Sequence, residues 1–278
     1  MGDIKLKKSE GQHILKNHGL IDTIIEKAHV KHTDTVLEIG AGTGSITLKL
    51  LQKAKKVIAY ETDKKLAREL IHKVNMAAEF KNKLELIQSN VLRQNIPHFD
   101  LCISNIPFNI SCPIILKLIS YDFKCAYILV QKEFGDRLTA RPGSDEYSRL
   151  SVIVQLLANV EHVMKVSKNS FMPPPKVDTC FMKIEPKIPR PPININEFDV
   201  LLKACFGRKN KTLLANLKTP LIQGKITKVP EYSNLNPASI IDQIVDSIGL
   251  TDARTSKMGI DDFLLLLLEF KKANIHFD

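Results

Sequence analysis

The segment Val36-Leu37-Glu38-Ile39-Gly40-Ala41-Gly42-Thr43-Gly44 constrains this chain more than any other. It closes a short β-branched run, Thr35–Ile39, and opens an amphipathic stretch, Ser45–Lys53. Three alternating glycines between a strand and a helix let the backbone turn tightly and approach a ligand with no Cβ in the way. Position 45 is Ser where a dinucleotide fingerprint has Gly or Ala, and no Gly-Lys-Ser/Thr follows, which excludes a phosphate-binding P-loop.

The surrounding pattern repeats the unit. Strands are predicted at Thr35–Ile39, Lys56–Glu61, Leu84–Ser89, Asp100–Asn105 and Ala126–Gln131. Helices are predicted at Ser45–Lys53, Asp63–Phe80 and Cys112–Ser120, with Asp63 as N-cap and Leu66, Leu70 and Val74 on one face. This alternation implies an α/β fold with a parallel sheet covered on both faces. A helix through Leu138, an exposed turn in Ala140–Ser148, a buried element at Ser151–Ala158 and a hairpin-like pair, Val163–Ser167 with Thr179–Ile184, complete it. Glu185–Asn196 carries four prolines and reads as a linker, so the domain boundary falls near Pro189: residues 1–189, then a helical domain, 190–278.

Glu61 ends the second strand, 21 residues after Gly40, where an acidic side chain accepts the hydroxyls of a ribose. Glu38 precedes the glycines and faces the loop and the charged end of a ligand. An acid before the loop and another after the next strand favour S-adenosylmethionine over NAD, and a ligand without pyrophosphate needs no helix-dipole phosphate site.

Asn105-Ile106-Pro107-Phe108 follows the fourth strand, at the carboxyl edge where open α/β sheets place their chemistry. An exocyclic amine on a base is a poor nucleophile, because its lone pair is delocalised into the ring. Acceptors aimed at its two hydrogens draw the nitrogen toward tetrahedral geometry. The side-chain oxygen of Asn105 and the carbonyl of Ile106 supply them, Pro107 fixes the turn, and Phe108 offers a flat face. No strong base is required, since the amine becomes acidic once methylated.

Ser170–Asp178 holds three consecutive prolines behind Phe171, an aromatic expected to be exposed as a second stacking platform opposite Phe108. From Val200 to Pro230 there are seven basic residues and no acidic one. Lys203, Arg208, Lys209, Lys211 and Lys218 form the expected RNA-binding set, a face that positions phosphates without reading sequence. The net charge of +10 points the same way, although only eight of the 40 basic residues are Arg.

The five cysteines are odd in number and widely spaced, which argues against a disulfide framework and against a zinc site. No metal ligand set is predicted. The longest apolar runs, such as Phe263–Leu268, reach six residues, far short of the ~20 needed to span a bilayer. No membrane partner is expected.

At this point the chain resembles the small-subunit ribosomal RNA adenine dimethyltransferases, in particular the branch serving eukaryotic cytosolic ribosomes. The resemblance runs through GQHILKN at 11–17, LEIGAGTG, NIPF, SFMPPPKVDT, FGRKNKTL at 206–213 and the MGIDDF…NIHF ending. It implies a Rossmann-like class I methyltransferase sheet with a smaller all-α C-terminal domain. It also implies S-adenosylmethionine as cofactor and transfer of two methyl groups to each of two adjacent adenines near the 3′ end of small-subunit (18S) rRNA.

Carried over by residue, the cofactor set is Gln12, His13, Leu15, Glu38, Gly40, Gly42, Gly44, Glu61, Asn90 and Asn105. Asn105, Ile106, Pro107, Phe108 and Phe171 would surround the target base. Two departures stand out: Ser89-Asn90 replaces the family's usual Gly-Asp, and Phe108 its frequent Tyr. The expected partners are small-subunit rRNA and the pre-ribosomal small subunit. The chain is expected to act as a monomer in the nucleus and nucleolus, with the cytoplasm as the alternative. The competing reading is a pre-rRNA-binding assembly factor for which methylation is dispensable.

Overall fold

The computed structural model describes residues 13–208 and 211–277. Nine strands and eleven helices are assigned among them. The strands are β1 (Ile14–Leu15), β2 (Thr35–Ile39), β3 (Lys56–Tyr60), β4 (Leu84–Ile87), β5 (Leu101–Asn105), β6 (Cys125–Gln131), β7 (Ala158–Val166), β8 (Phe171–Met172) and β9 (Thr179–Pro186). Six helices belong to the first 160 residues: α1 (His18–Lys27), α2 (Thr47–Lys53), α3 (Lys64–Asn75), α4 (Ser111–Leu118), α5 (Lys132–Thr139) and α6 (Arg149–Leu157). Five follow the proline-rich stretch: α7 (Ile195–Cys205), α8 (Leu213–Leu217), α9 (Pro220–Ile226), α10 (Pro237–Ser247) and α11 (Ile260–Lys272). No described helix is long and apolar enough to cross a membrane.

Seven strands form one sheet in the order β4-β3-β2-β5-β6-β9-β7. The first five are parallel, and β9 and β7 join antiparallel to β6 and to each other. The predicted parallel sheet is therefore mixed, closed at one edge by the pair read as hairpin-like. Burial of the central strands along almost their whole length explains why they are mostly apolar and do not alternate. Val36, Val57 and Ile103 face a core built with Ile21, Ile24 and Ile25 of α1, Leu50 and Leu51 of α2, and Leu70 and Val74 of α3.

Asp63 caps α3 by accepting from the backbone N–H of Lys65 at 2.8 Å and of Leu66 at 3.3 Å. The helix ends at Asn75 and a separate short turn takes up Ala78–Phe80, where one continuous helix was expected. Helix α1 and the two-residue ladder between β1 and β8 were not expected. Asn17 caps α1 at 3.1 Å, and Ile14 and Leu15 pair with Met172 and Phe171.

The described residues divide into two compact units, the first running up to 135 and again over 158–188, the second over 136–157 and from 189 onward. This corrects the domain assignment, which placed 136–157 with the sheet. Polar contacts account for the difference: Gly143 N–H donates to the Ser256 carbonyl at 2.7 Å and the Tyr147 hydroxyl to the Met258 carbonyl at 2.9 Å, while Arg149 pairs with Asp199. The linker is also shorter than expected, since Glu185–Pro186 still belongs to β9 and Ile195–Asn196 already to α7.

Candidate active site

The carboxyl ends of β2, β3, β4 and β5 surround a cavity of about 270 Å³. Its floor is the glycine loop. Gly40 and Ala41 both donate to the Tyr60 carbonyl, at 2.8 and 3.1 Å, which ties the loop to the end of β3. Gly40 has φ +78°, and a Cβ there would lie 3.3 Å from the Pro107 ring and 3.4 Å from the Asn105 carbonyl. The absent side chain thus lets the Asn105–Phe108 loop close over the glycine loop. Gly42 and Gly40 line the cavity. Gly44, assigned to the cofactor, does not: at φ +88° it faces α3, where a Cβ would meet Leu70 Cδ1 at 2.6 Å. Its missing side chain leaves room for Leu70.

Glu61 lines the cavity and holds its carboxylate in place with both oxygens: Oε2 accepts from Gly42 N–H and Oε1 from Asp63 N–H, each at 2.8 Å. Burial raises its pKa, and those backbone N–H groups oppose the rise. Glu38 is buried deeper. Burial pushes its pKa up to about 8, Thr47 at the start of α2 works against the shift, and the charge of Glu61 adds to it. Its Oε2 has no hydrogen-bond partner among the described residues. A carboxyl raised this far by burial in a cavity wall, next to an ionisable neighbour, marks a candidate functional site.

Asn105 ends β5 with its amide turned by the N-terminal segment. Its Nδ2 donates to the His13 carbonyl at 2.6 Å, and its Oδ1 is buried without a partner among the described residues. A buried acceptor left unmatched costs about 1–3 kcal/mol, so its retention points to a hydrogen supplied from outside the chain. Asn105 and Pro107 line the cavity; Ile106 is buried behind them and Phe108 sits half-buried beside them.

His13, Leu15 and Asn90 line the same cavity. Gln12 lies outside the described residues. The aromatic opposite Phe108 is His13, with ring centroids 5.4 Å apart at 25°, and His13 Nδ1 also bonds the Pro173 carbonyl at 2.7 Å.

Phe171 corrects the sequence reading. It is 0% exposed and belongs to the core beneath the sheet, because its strand pairs with β1 and turns the ring inward; Met172 takes the outward position at 54%. It presents no face to a base in this structure.

Two residues of the site were missed. Ser104 lies under the glycine loop and accepts from Ile39 N–H at 2.8 Å; a small hydroxyl inside an apolar strand was the available signal. Lys117 donates to the Leu92 carbonyl at 3.3 Å and to that of Gln94, which steadies the loop carrying Asn90.

The basic residues of the helical unit are more committed than their sequence suggests. Lys203 pairs with Asp199 at 2.8 Å and Lys218 with Asp242 at 2.6 Å, acids outside the stretch that was read as purely basic. Arg208 donates to the Asn216 side-chain oxygen and to the Ala215 carbonyl at the end of α8. Lys211 is exposed, and Lys209 lies outside the described residues.

Comparison with known proteins identifies the family. A probable dimethyladenosine transferase of Caenorhabditis elegans is 45% identical over 280 residues, covering 96% of this chain and 91% of the relative. The crystal structure of a dimethyladenosine transferase from Plasmodium falciparum superposes with a TM-score of 0.86 at 39% identity, covering 96% of this chain and all of that one. The crystal structure of the 23S rRNA methyltransferase ErmE shares the fold, with a TM-score of 0.65 at 23% identity, covering 93% of this chain and 99% of that one. The family pattern described as ribosomal RNA adenine dimethylase matches residues 4–253, so the glycine loop, the Asn105 turn and the fold around them all lie within it, and the chain belongs to that family.

Proposed function

We propose that the protein dimethylates the exocyclic N6 amine of two adjacent adenosines near the 3′ end of small-subunit (18S) rRNA, with S-adenosylmethionine as methyl donor. The observation that carries this reading is Asn105 Oδ1, buried and without a partner among the described residues, beside a glycine-floored cavity.

The residues fit the cofactor. The cradle at Gly40 is one that a Cβ would fill, Glu61 is held in place for a ribose, and the unpartnered Glu38 oxygen suits a cationic ligand. When bound, the cofactor supplies an activated methyl group on a sulfonium centre.

The chain's own contribution is positional. Asn105 Oδ1 accepts one hydrogen of the target amine and the Ile106 carbonyl the other, which frees the nitrogen lone pair from the ring. Phe108 stacks on the base. His13 holds the Asn105 amide so that its oxygen, and not its nitrogen, faces the amine. For the second transfer one of the two acceptors gives up its hydrogen.

The same reading assigns the protein to small-subunit biogenesis, with the pre-ribosomal small subunit as partner, in the nucleolus and as a monomer. The experiment is transfer of labelled methyl from S-adenosylmethionine to immature small subunits lacking the modification, wild type beside Asn105→Ala, with the product identified as a nucleoside. Dimethyladenosine from wild type alone supports the proposal. Tight subunit binding by both with no product from either would favour the assembly-factor reading.

A further inference from the structure

Asn90 stands just beyond β4 and lines the cavity. Its Oδ1 accepts from Leu92 N–H at 2.9 Å and caps the short turn Val91–Arg93, which Lys117 braces from the other side. The oxygen is thereby committed and the orientation of the amide is set. What the side chain still offers is Nδ2, a hydrogen-bond donor.

The sheet order decides what that donor meets. Along the edge β4-β3-β2-β5, Asn90, Glu61, the glycine loop and Asn105 follow one another in space. With Asn105 at the amine-directed end and Glu61 at the sugar, residue 90 faces the base of a nucleoside ligand. An aspartate in this position would cap Leu92 with one oxygen and offer the other as an acceptor; asparagine reverses the polarity of that contact. The six-position of a purine is where polarity is read, because an amino group donates and an oxo group accepts.

We propose that Asn90 is a specificity-determining residue that makes the base end of this cavity a donor wall, so that the site takes a 6-oxopurine nucleoside ligand as readily as a 6-aminopurine one. This rests on the cofactor reading above. Asn90 Nδ2 pairs with the oxo group of the first and with the ring nitrogen beside the amine of the second, so neither base leaves it unmatched.

The test is calorimetric titration of S-adenosyl-L-homocysteine and S-inosyl-L-homocysteine into wild type and Asn90→Asp. The variant is isosteric and keeps the capping oxygen, and a melting curve checks its fold. Wild type is expected to bind the two ligands within about threefold of each other, and the variant to prefer the adenosyl compound by about tenfold or more. A wild-type preference of tenfold for the adenosyl ligand overturns the inference by itself, as does an unchanged ratio in a folded variant. If wild type binds neither compound, the cofactor reading falls and this one with it. If it binds the adenosyl compound and rejects the inosyl one, only the role of Asn90 falls.

Discussion

Asn105 donates its side-chain amide to the backbone carbonyl of His13 at 2.6 Å across 92 residues of sequence, and this bond determines which end of the amide the cavity receives. Asn105→Ala removes the acceptor and is expected to lower methyl transfer by about 100- to 1,000-fold, the range found when one preorganised polar group is lost from an active site. Asn105→Asp is the more searching variant. It keeps an acceptor oxygen but places a carboxylate against the His13 carbonyl, where the wild type has a donor. Transfer is expected to fall at least about 100-fold in it too. Single-turnover rates near those of wild type would mean that the tether to His13 is dispensable.

Phe171 yields a different kind of prediction from Phe108. Phe171 is wholly buried among Leu15, Val166 and Phe181, so Phe171→Ala leaves a cavity in the core and is expected to cost about 3–5 kcal/mol of stability, measured by urea unfolding. Transfer and cofactor binding should fall together as the fold weakens. Phe108→Ala, at a half-buried position beside the cavity, should lower transfer with a much smaller change in the unfolding midpoint. A Phe171 variant of unaltered stability and reduced transfer would return that ring to the role of a stacking platform.

The contrast between these two aromatics shows where sequence reading succeeds and where it stops. Strand β2, the glycine turn, the Asp63 cap and the place of Glu61 were legible because each depends on neighbours within a few residues. The inward turn of Phe171 depends on a two-residue ladder with Ile14 and Leu15, more than 150 positions away, and no local pattern encodes it. Asp199 and Asp242 escaped for the same reason. The stretch from Val200 to Pro230 contains no acid, yet folding brings one to Lys203 and another to Lys218. Residues 136–157 read as an extension of the sheet domain because the chain passes through them between β6 and β7. Hydrogen bonds of Gly143 and Tyr147 and the ion pair of Arg149 run instead to positions after 198.

Those pairings sort the basic residues. A lysine that neutralises a phosphate releases about one counterion, so its loss lowers the slope of log affinity against log salt by about 0.7 to 0.9. Lys211→Ala is expected to flatten the salt dependence of rRNA-fragment binding by that amount. Lys203→Ala and Lys218→Ala each remove a partner already held by an aspartate and should change the slope by less than half as much. Fluorescence anisotropy between low and moderate salt measures all three. Equal slopes for the Lys203 and Lys211 variants would show that the bound RNA competes successfully for the paired lysine.

Glu38 gives the protein a pH dependence whose sign follows from its burial. The folded carboxyl titrates near 8, against an ordinary value of 4.5, so from about pH 4.5 to 8 the folded chain holds a proton that the unfolded chain has released. Folding stability from this group is fully present below the lower value and is lost as pH rises toward the upper one. Glu61, also raised by burial, acts in the same direction. Glu38→Gln keeps the shape and removes the titration. Wild type is therefore expected to lose stability relative to the variant between pH 5 and 8, by roughly 1–4 kcal/mol, and to run parallel to it above pH 8. Paired urea titrations at unit pH steps provide the measurement, because every histidine and the carboxylates remote from Glu38 are common to both proteins and cancel in the difference, which leaves Glu38 and its coupling to Glu61. A constant difference from pH 5 to 8 would mean that Glu38 is ionised throughout, with its Oε2 matched by a cation or donor inside the cavity.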